Sequence, residues 1–280
     1  MDLLEEKLEF AKETAREAGK LVRKMLEEEV KIERKADKSE VTTIDYKIDQ
    51  YTIERTGKEF PQDGILTEES RDNKKRLKKR DVWTYDPIDG THNLCLWLES
   101  KNVHLTSRYF AVHVGLSRKG VAVVGAVYLP MFNALFYAAE GLGAYKQING
   151  SPPVSLKINP TPSIPVDREY VVPEEETFKK AFQITPRNKR RFGKVLGCYL
   201  IAVAENALDA HALYLRAPAR FAEWDTCAPE IIVREAGGIV TDFYGEPLKY
   251  NKPEPFFYNG IITQKKKGMV PFISNDEKSS

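Results

Sequence analysis

The chain has 280 residues, 42% hydrophobic and 30% charged, with 43 Lys and Arg against 41 Asp and Glu for a net charge of +2. That length builds a substantial core without staples, and the near-neutral balance excludes a wholesale nucleic-acid-binding surface, so a nucleic-acid partner is not expected. Cys95, Cys198 and Cys227 are an odd number without metal-ligand spacing, which predicts buried thiols in a reducing compartment. The N-terminus MDLLEEKLEF lacks a basic segment followed by an apolar one, and no apolar run approaches the ~18 residues of a membrane span. A cytoplasmic protein without membrane contact is expected.

In chain order, Leu4, Leu8, Ala11, Ala15, Ala18, Val22 and Met25 alternate spacings of four and three, which predicts an amphipathic helix. KADKSEVTTIDYKIDQYTI is a polar turn leading through Val41 to Asp45 and into a second amphipathic stretch with Ile48, Tyr51 and Ile53. In FPQDGILTEES, Pro61 to Gly64 is a turn, Ile65 and Leu66 a short strand, and Glu68 and Glu69 stand at its end. RDNKKRLKKR, Arg71 to Arg80, is dense in charge and reads as a solvated loop; its place between acidic clusters also allows a role beside an anionic ligand. VWTYDPIDGT is an apolar strand ending in two aspartates, Asp86 and Asp89, where Asp-Gly alone would signal a turn. FAVHVGLSRKGVAVVGAVYLP and NALFYAAEGLGAYKQING each read as a strand pair, giving an antiparallel sheet. The Pro- and Ser-rich stretch from Asn149 to Pro165 divides an N-terminal α+β half, 1–150, from a C-terminal α/β half, 151–280. KVLGCYLIAVAENALDAHALYL reads as strand, helix and strand. WDTCAPEIIVREAGGIVTDFYGEPL reads as a helix closed by Gly237 and Gly238, then the strand Ile239 to Thr241. The tail from Lys265 is polar and expected to fray.

Five carboxylates thus fall at element ends: Asp45, Glu68, Asp86, Asp89 and Asp225. Hard oxygen donors without paired His or Cys suit Mg²⁺, and converging carboxylates need a cation to offset their repulsion. Each also has a plainer reading. Asp225-Thr226 can cap the following helix, and Glu68-Glu69 can be a solvated strand end. Trp224 and Cys227 read as packing residues, while His92 can face either substrate or solvent.

The segments VTTID, TEES, DPIDGT and WDTCAPEIIVREAGGIVTD, in this order, resemble the inositol monophosphatase superfamily of Mg²⁺-dependent, lithium-sensitive phosphatases. The resemblance spans nearly the whole chain and is weakest from about Ser151 to Lys194. It implies a layered α-β-α-β-α sandwich of the α+β class and hydrolysis of a small phosphorylated substrate, with two to three Mg²⁺ ions. By resemblance, Glu68, Asp86 and the Ile88 carbonyl hold a first ion, and Asp86, Asp89 and Asp225 a second. A third, weaker ion also uses Glu68. Thr91 matches the threonine that helps activate water, and Asp45 the carboxylate that orients it. The chemistry agrees, since metal pairs neutralise a phosphate, activate water and stabilise the leaving alkoxide, while Gly90 and Thr91 offer backbone N–H groups to the phosphate. Many relatives are homodimers.

Within the superfamily, WDTCAPE, KADKSEVT, FPQDGILTEES and EPLKYNKPE resemble 3'(2'),5'-bisphosphate nucleotidases more than inositol monophosphatases. Inositol enzymes commonly carry a glutamate seven residues before the WD aspartate, and here that position is Pro218. Arg216 and Arg220 stand nearby, able to pair with a second phosphate. The expected substrate is 3'-phosphoadenosine 5'-phosphate or its sulfated precursor. An inositol or other sugar or polyol phosphatase is the alternative, and a non-enzymatic scaffold or nucleic-acid-binding protein the contrasting class. Between DPIDGT and FAV the segment HNLCLWLESKNVHLTSRY is about nine residues longer than usual, room for a lid, a dimer contact or an adenine platform. Asn206 replaces a customary small Gly, and the usual Ser-rich stretch is not recognisable around Glu169 to Pro173.

Overall fold

A computed structural model describes residues 3–36, 38–100, 105–161, 170–171, 195–213, 221–270 and 272. Helix α1 (Leu3–Met25) buries the predicted stripe, with Leu8, Ala11, Ala15, Ala18 and Val22 inside. A hairpin of β1 (Ile32–Arg34) and β2 (Glu40–Thr42) follows. Helix α2 (Thr43–Glu59) then starts at a reciprocal cap in which the Thr42 hydroxyl accepts from the Ile44 and Asp45 N–H groups, and Asp45 accepts from the Thr42 N–H.

Strands β3 (Gly64–Thr67) and β4 (Asp81–Asp89) are followed by α3 (Thr91–Ser100). Next come β5 (Ala111–Arg118), β6 (Val121–Leu129), β7 (Ala134–Ala139), β8 (Gly143–Ile148) and β9 (Val154–Leu156). Strands β3 to β9 form one seven-stranded sheet in chain order. Only the β3–β4 pair is parallel, so the sheet expected to be antiparallel is mixed at one edge. Every residue of β4 is buried and nearly every residue of β5, because both faces of the sheet are covered.

The remaining elements are β10 (Tyr170–Val171), α4 (Leu196–Ala204), β11 (Ala210–Leu213), β12 (Phe221–Ala222), α5 (Glu223–Glu235), β13 (Ile239–Thr241), β14 (Phe256–Phe257) and β15 (Ile261–Gln264). A second sheet has the order β10-β11-β15-β13, and β12 pairs with β14. Helix α1 lies on one face of the large sheet, across β5 to β7. Helix α5 crosses the same strands on the opposite face, with α4 beside it and the second sheet behind. This is the layered α+β arrangement expected. No described helix is long and apolar enough to cross a membrane.

Three expectations change. Arg71 to Arg80 is not uniformly solvated: Lys75–Lys78 is a 3₁₀ turn, and Arg76 inside it is buried. The polar tail does not fray at Lys265, whose buried ammonium lies 2.8 Å from Asp209 Oδ1, and Val270 beyond it is also buried. A strand ahead of α4 is not formed by Val195, the only described residue there; those before it lie outside the described residues. The Pro- and Ser-rich stretch still contributes β9 to the large sheet. All three cysteines are buried free thiols, as expected.

Glycine lets α5 lie flat on the sheet. A Cβ at Gly125 on β6 would stand 2.3 Å from the Ala228 carbonyl oxygen of α5, and backbone cannot rotate away as a side chain can. Gly125→Ala is expected to lower stability by about 1–3 kcal/mol or more. Urea denaturation would register this as a lower midpoint at unchanged slope.

Candidate active site

The end of β4 does not continue as a regular ladder. Asp86 pairs with His113 of β5 and Asp89 with Ala111, so three steps on β4 face two on β5 and the register shifts between them. In a regular strand, residues three apart point to opposite faces; a bulge removes that constraint. Pro87, which has no N–H to give a ladder, sits inside the irregularity. Gly90 then turns at φ +95°, and a Cβ there would lie 2.5 Å from Val195 Cγ2. Its carbonyl accepts from the Asn93 and Leu94 N–H groups, which opens α3 at Thr91.

Thr91 Oγ1 lies 2.9 Å from Asp45 Oδ1 and 3.0 Å from the Ile88 carbonyl oxygen. Asp45 is held from its other side. Its Oδ2 accepts from the Thr42 N–H at 2.8 Å and the Thr42 hydroxyl at 2.5 Å, which leaves Oδ1 to Thr91. Asp49, one helical turn after Asp45, accepts from the Thr67 and Ser70 hydroxyls and so brackets the turn that presents Glu68 and Glu69.

Asp89 faces the start of α4. Its Oδ1 accepts from the Leu196 N–H at 3.2 Å and its Oδ2 from the Gly197 N–H at 2.7 Å, with His113 Nε2 3.3 Å away. A helix N-terminus favours a negative charge. Asp225, in the first turn of α5, accepts from the Ala222 N–H at 2.7 Å, so the capping reading of this residue holds alongside its place in the site.

These carboxylates share one electrostatic neighbourhood. Burial pushes Asp86 well up from the usual carboxylate range, and Glu68, Asp89, Asp225 and Asp45 push it further. Burial likewise raises Glu68, opposed by the Lys35 ammonium and reinforced by Glu69 and Asp225, and it raises Asp225, helped by Asp89. Burial also raises Asp45 against its threonine hydrogen bonds. Asp86 Oδ1 is buried without a hydrogen-bond partner.

Asp86 thus lies within the electrostatic reach of the other four acids that the sequence singled out. Among the described residues, no three His, Cys, Asp or Glu side chains stand in the closed geometry of a metal-binding group. Asp89 and Asp225 are turned to backbone N–H groups, and Glu68 to Lys35 at 3.2 Å. Arg216 and Arg220 lie outside the described residues, as do Pro218 and His104. His92 does not simply face solvent: its Nδ1 is 3.2 Å from Glu40 Oε1. Sequence reading missed Lys35, which also reaches Glu69 at 2.7 Å, as well as Asp49 and His113. KADKSEVT carried a signal for Lys35, but a lysine in a polar turn does not announce its partner.

Comparison with known proteins gives this arrangement a lineage. Residues 3–270 match the model of the inositol monophosphatase family. The chain is 31% identical over 251 residues to the 3'(2'),5'-bisphosphate nucleotidase CysQ of Aggregatibacter actinomycetemcomitans, covering 87% of each chain. It is 31% identical over 253 residues to the Nus factor SuhB of Escherichia coli K12, covering 85% of each. Among solved structures, the IMPase of Thermotoga maritima superposes with a TM-score of 0.70 at 25% identity, covering 93% of this chain and 92% of its own. With the match running from the first helix to the end of the second sheet, the chain belongs to the inositol monophosphatase family and is a phosphoric monoester hydrolase of that metal-dependent group, acting on small phosphorylated substrates.

Proposed function

We propose that the chain is a Mg²⁺-dependent 3'(2'),5'-bisphosphate nucleotidase that hydrolyses 3'-phosphoadenosine 5'-phosphate to AMP and phosphate. The observation that carries the catalytic part is the contact of Thr91 Oγ1 with Asp45 Oδ1, beside the unpartnered Oδ1 of Asp86. The donor set fits a hard divalent cation: carboxyls whose proton affinity is raised by burial and by one another, with a buried carboxyl oxygen of Asp86 lacking any partner. Glu68, Asp86 and the Ile88 carbonyl are assigned to one ion, Asp86, Asp89 and Asp225 to a second, and Glu68 also to a weaker third. When bound, Mg²⁺ neutralises the phosphate oxygens and makes water acidic enough to attack in line.

The chain's own residues then handle the proton and the phosphate. Thr91 donates its hydroxyl hydrogen to Asp45, so its oxygen keeps lone pairs to accept a proton from water while Asp45 takes the one that Thr91 gives up. The raised proton affinity of buried Asp45 suits that role. The Gly90 and Thr91 N–H groups at the start of α3 are assigned to phosphate oxygens. Asp89 and Asp225, fixed by backbone N–H groups, leave little motion to be frozen during the reaction. For the substrate, WDTCAPE, Pro218 in place of a hydroxyl-binding glutamate, and the relationship to a CysQ nucleotidase support a nucleotide. Arg216 and Arg220 are assigned to its 5'-phosphate.

Phosphate release from a panel of nucleotides and sugar phosphates tests the reading. Turnover of 3'-phosphoadenosine 5'-phosphate is expected to exceed that of inositol 1-phosphate, and selective use of the inositol ester would overturn the assignment. Thr91→Ala is expected to lower kcat by about 10²–10⁴, with the melting temperature little changed. Asp89→Asn is expected to abolish Mg²⁺-dependent turnover.

The raised acids also set a pH dependence. Glu68 is pushed up to about 8 and Asp225 to about 7, each from an ordinary value near 4. A carboxyl that binds its proton more tightly when folded contributes stability at low pH that is lost as pH rises through its folded pKa. Protein stripped of divalent ions is therefore expected to melt at falling temperature from pH 5 to 8, and Mg²⁺ to flatten that slope. A metal-free profile that rises over this range would show that the acids do not share a common field.

A further inference from the structure

The basic run that looked like a solvated loop contains one residue unlike its neighbours. The Lys74 side chain is 46% exposed and that of Arg80 66%, whereas that of Arg76 is 1% exposed. Its guanidinium makes four hydrogen bonds. Nε and Nη2 donate to Asp72 Oδ2 at 3.1 and 2.8 Å, Nη1 to Asn251 Oδ1 at 2.9 Å, and Nη2 also to the Lys252 carbonyl at 2.9 Å. The Asn251 amide donates back to the Arg76 carbonyl at 3.3 Å.

Each end of this network leads to an acid of the site. On one side Arg76 packs directly on Gly64, the first residue of β3, where a Cβ would stand 2.9 Å from Arg76 Cβ; three residues after that strand begins to run inward comes Thr67, and Glu68 follows. On the other side, the Asn251 and Lys252 N–H groups donate to Glu223 Oε2 and Oε1 at 2.7 and 2.9 Å. Glu223 is fully buried in the first turn of α5, its own N–H bonded to the Pro255 carbonyl at 2.9 Å, and Asp225 lies two residues further on. Asn251 sits at φ +55°, a left-handed conformation that Asn tolerates.

We infer that Arg76 is a positioning residue that, through Asn251, Lys252 and Glu223, fixes the first turn of α5 and hence Asp225 relative to the strand presenting Glu68. It touches no reacting atom. Its planar fork reaches a carboxylate, an amide oxygen and a carbonyl at once, which a lysine ammonium on a flexible stem cannot reproduce. This inference rests on the metal-assisted reading of the site.

Mn²⁺ binding without substrate, followed by electron paramagnetic resonance, separates positioning from mere support of the fold. Arg76→Lys is expected to weaken Mn²⁺ binding about 10–100-fold, as loss of an outer support of metal ligands does, and to raise the Mg²⁺ concentration for half-maximal turnover while kcat at saturating Mg²⁺ stays near wild type. Asn251→Ala, which keeps the Arg76–Asp72 pair, is expected to act in the same direction to a smaller extent, and it carries the test if Arg76→Lys does not fold. Lower melting temperatures with wild-type Mn²⁺ affinity in the folded variants would overturn the inference. Asp225→Asn distinguishes the two levels: if it leaves Mn²⁺ binding of the otherwise wild-type chain unchanged, the metal reading itself falls.

Discussion

Buried like charge is the constraint around which this molecule is arranged. Two unit charges 4 Å apart repel by about 4 kcal/mol at the effective dielectric near a protein surface, and by more in a drier interior. A chain that brings Asp45, Glu68, Asp89 and Asp225 within electrostatic reach of Asp86 must hold them there by other means. It does so by mounting them on four different rigid elements. Asp45 is in the first turn of α2, Glu68 just past β3, Asp86 and Asp89 at the bulged end of β4, and Asp225 in the first turn of α5.

The anchoring groups are mostly backbone N–H donors, which cannot swing away as side chains can. Thr42 and Ala222 supply them to Asp45 and Asp225 from their own helix starts, and Leu196 and Gly197 supply them to Asp89 from another. Glu68 is held differently, by the Lys35 ammonium reaching over from the β1–β2 loop. The layers make these placements possible. Because α5 closes on the large sheet against glycine positions, its first turn arrives at the end of β4, and an acid late in the sequence meets acids from its first third.

Much of this was legible because it is local. The 4-3 spacing of α1, the strand pairs after Phe110, and the helix before Gly237 are each specified by neighbours in sequence, and the structure places them there. The positions of the five acids at or near element ends were legible in the same way. What escaped depends on contacts between distant segments. Nothing local distinguishes Arg76 from the five other basic residues between Lys74 and Arg80, since its burial is decided by Asn251 and Lys252, 175 and 176 residues away. Lys265 likewise reads as the start of a polar tail until Asp209 is seen beside it. His113 sits in an apolar strand, and only the pairing of β4 with β5 sets it opposite Asp86.

The segment after the bulge divides residues tied to Asp45 and the end of β4 from residues that are not. Gly90 and Thr91 are bound by the site's geometry, one by its positive φ and the other by Asp45. From His92 onward the chain is released from those demands. His92 turns to Glu40 of the β1–β2 hairpin, and the Asn93 amide donates to the Thr106 and Tyr109 carbonyls at 3.1 and 2.7 Å, drawing the chain before Phe110 back to the start of α3. Leu96 remains 43% exposed on the helix between them. A scaffold that fixes its reacting groups on a strand end and a helix start can vary the length that follows without disturbing them. The bonds that close this segment come from Asn93 rather than from the carboxylates.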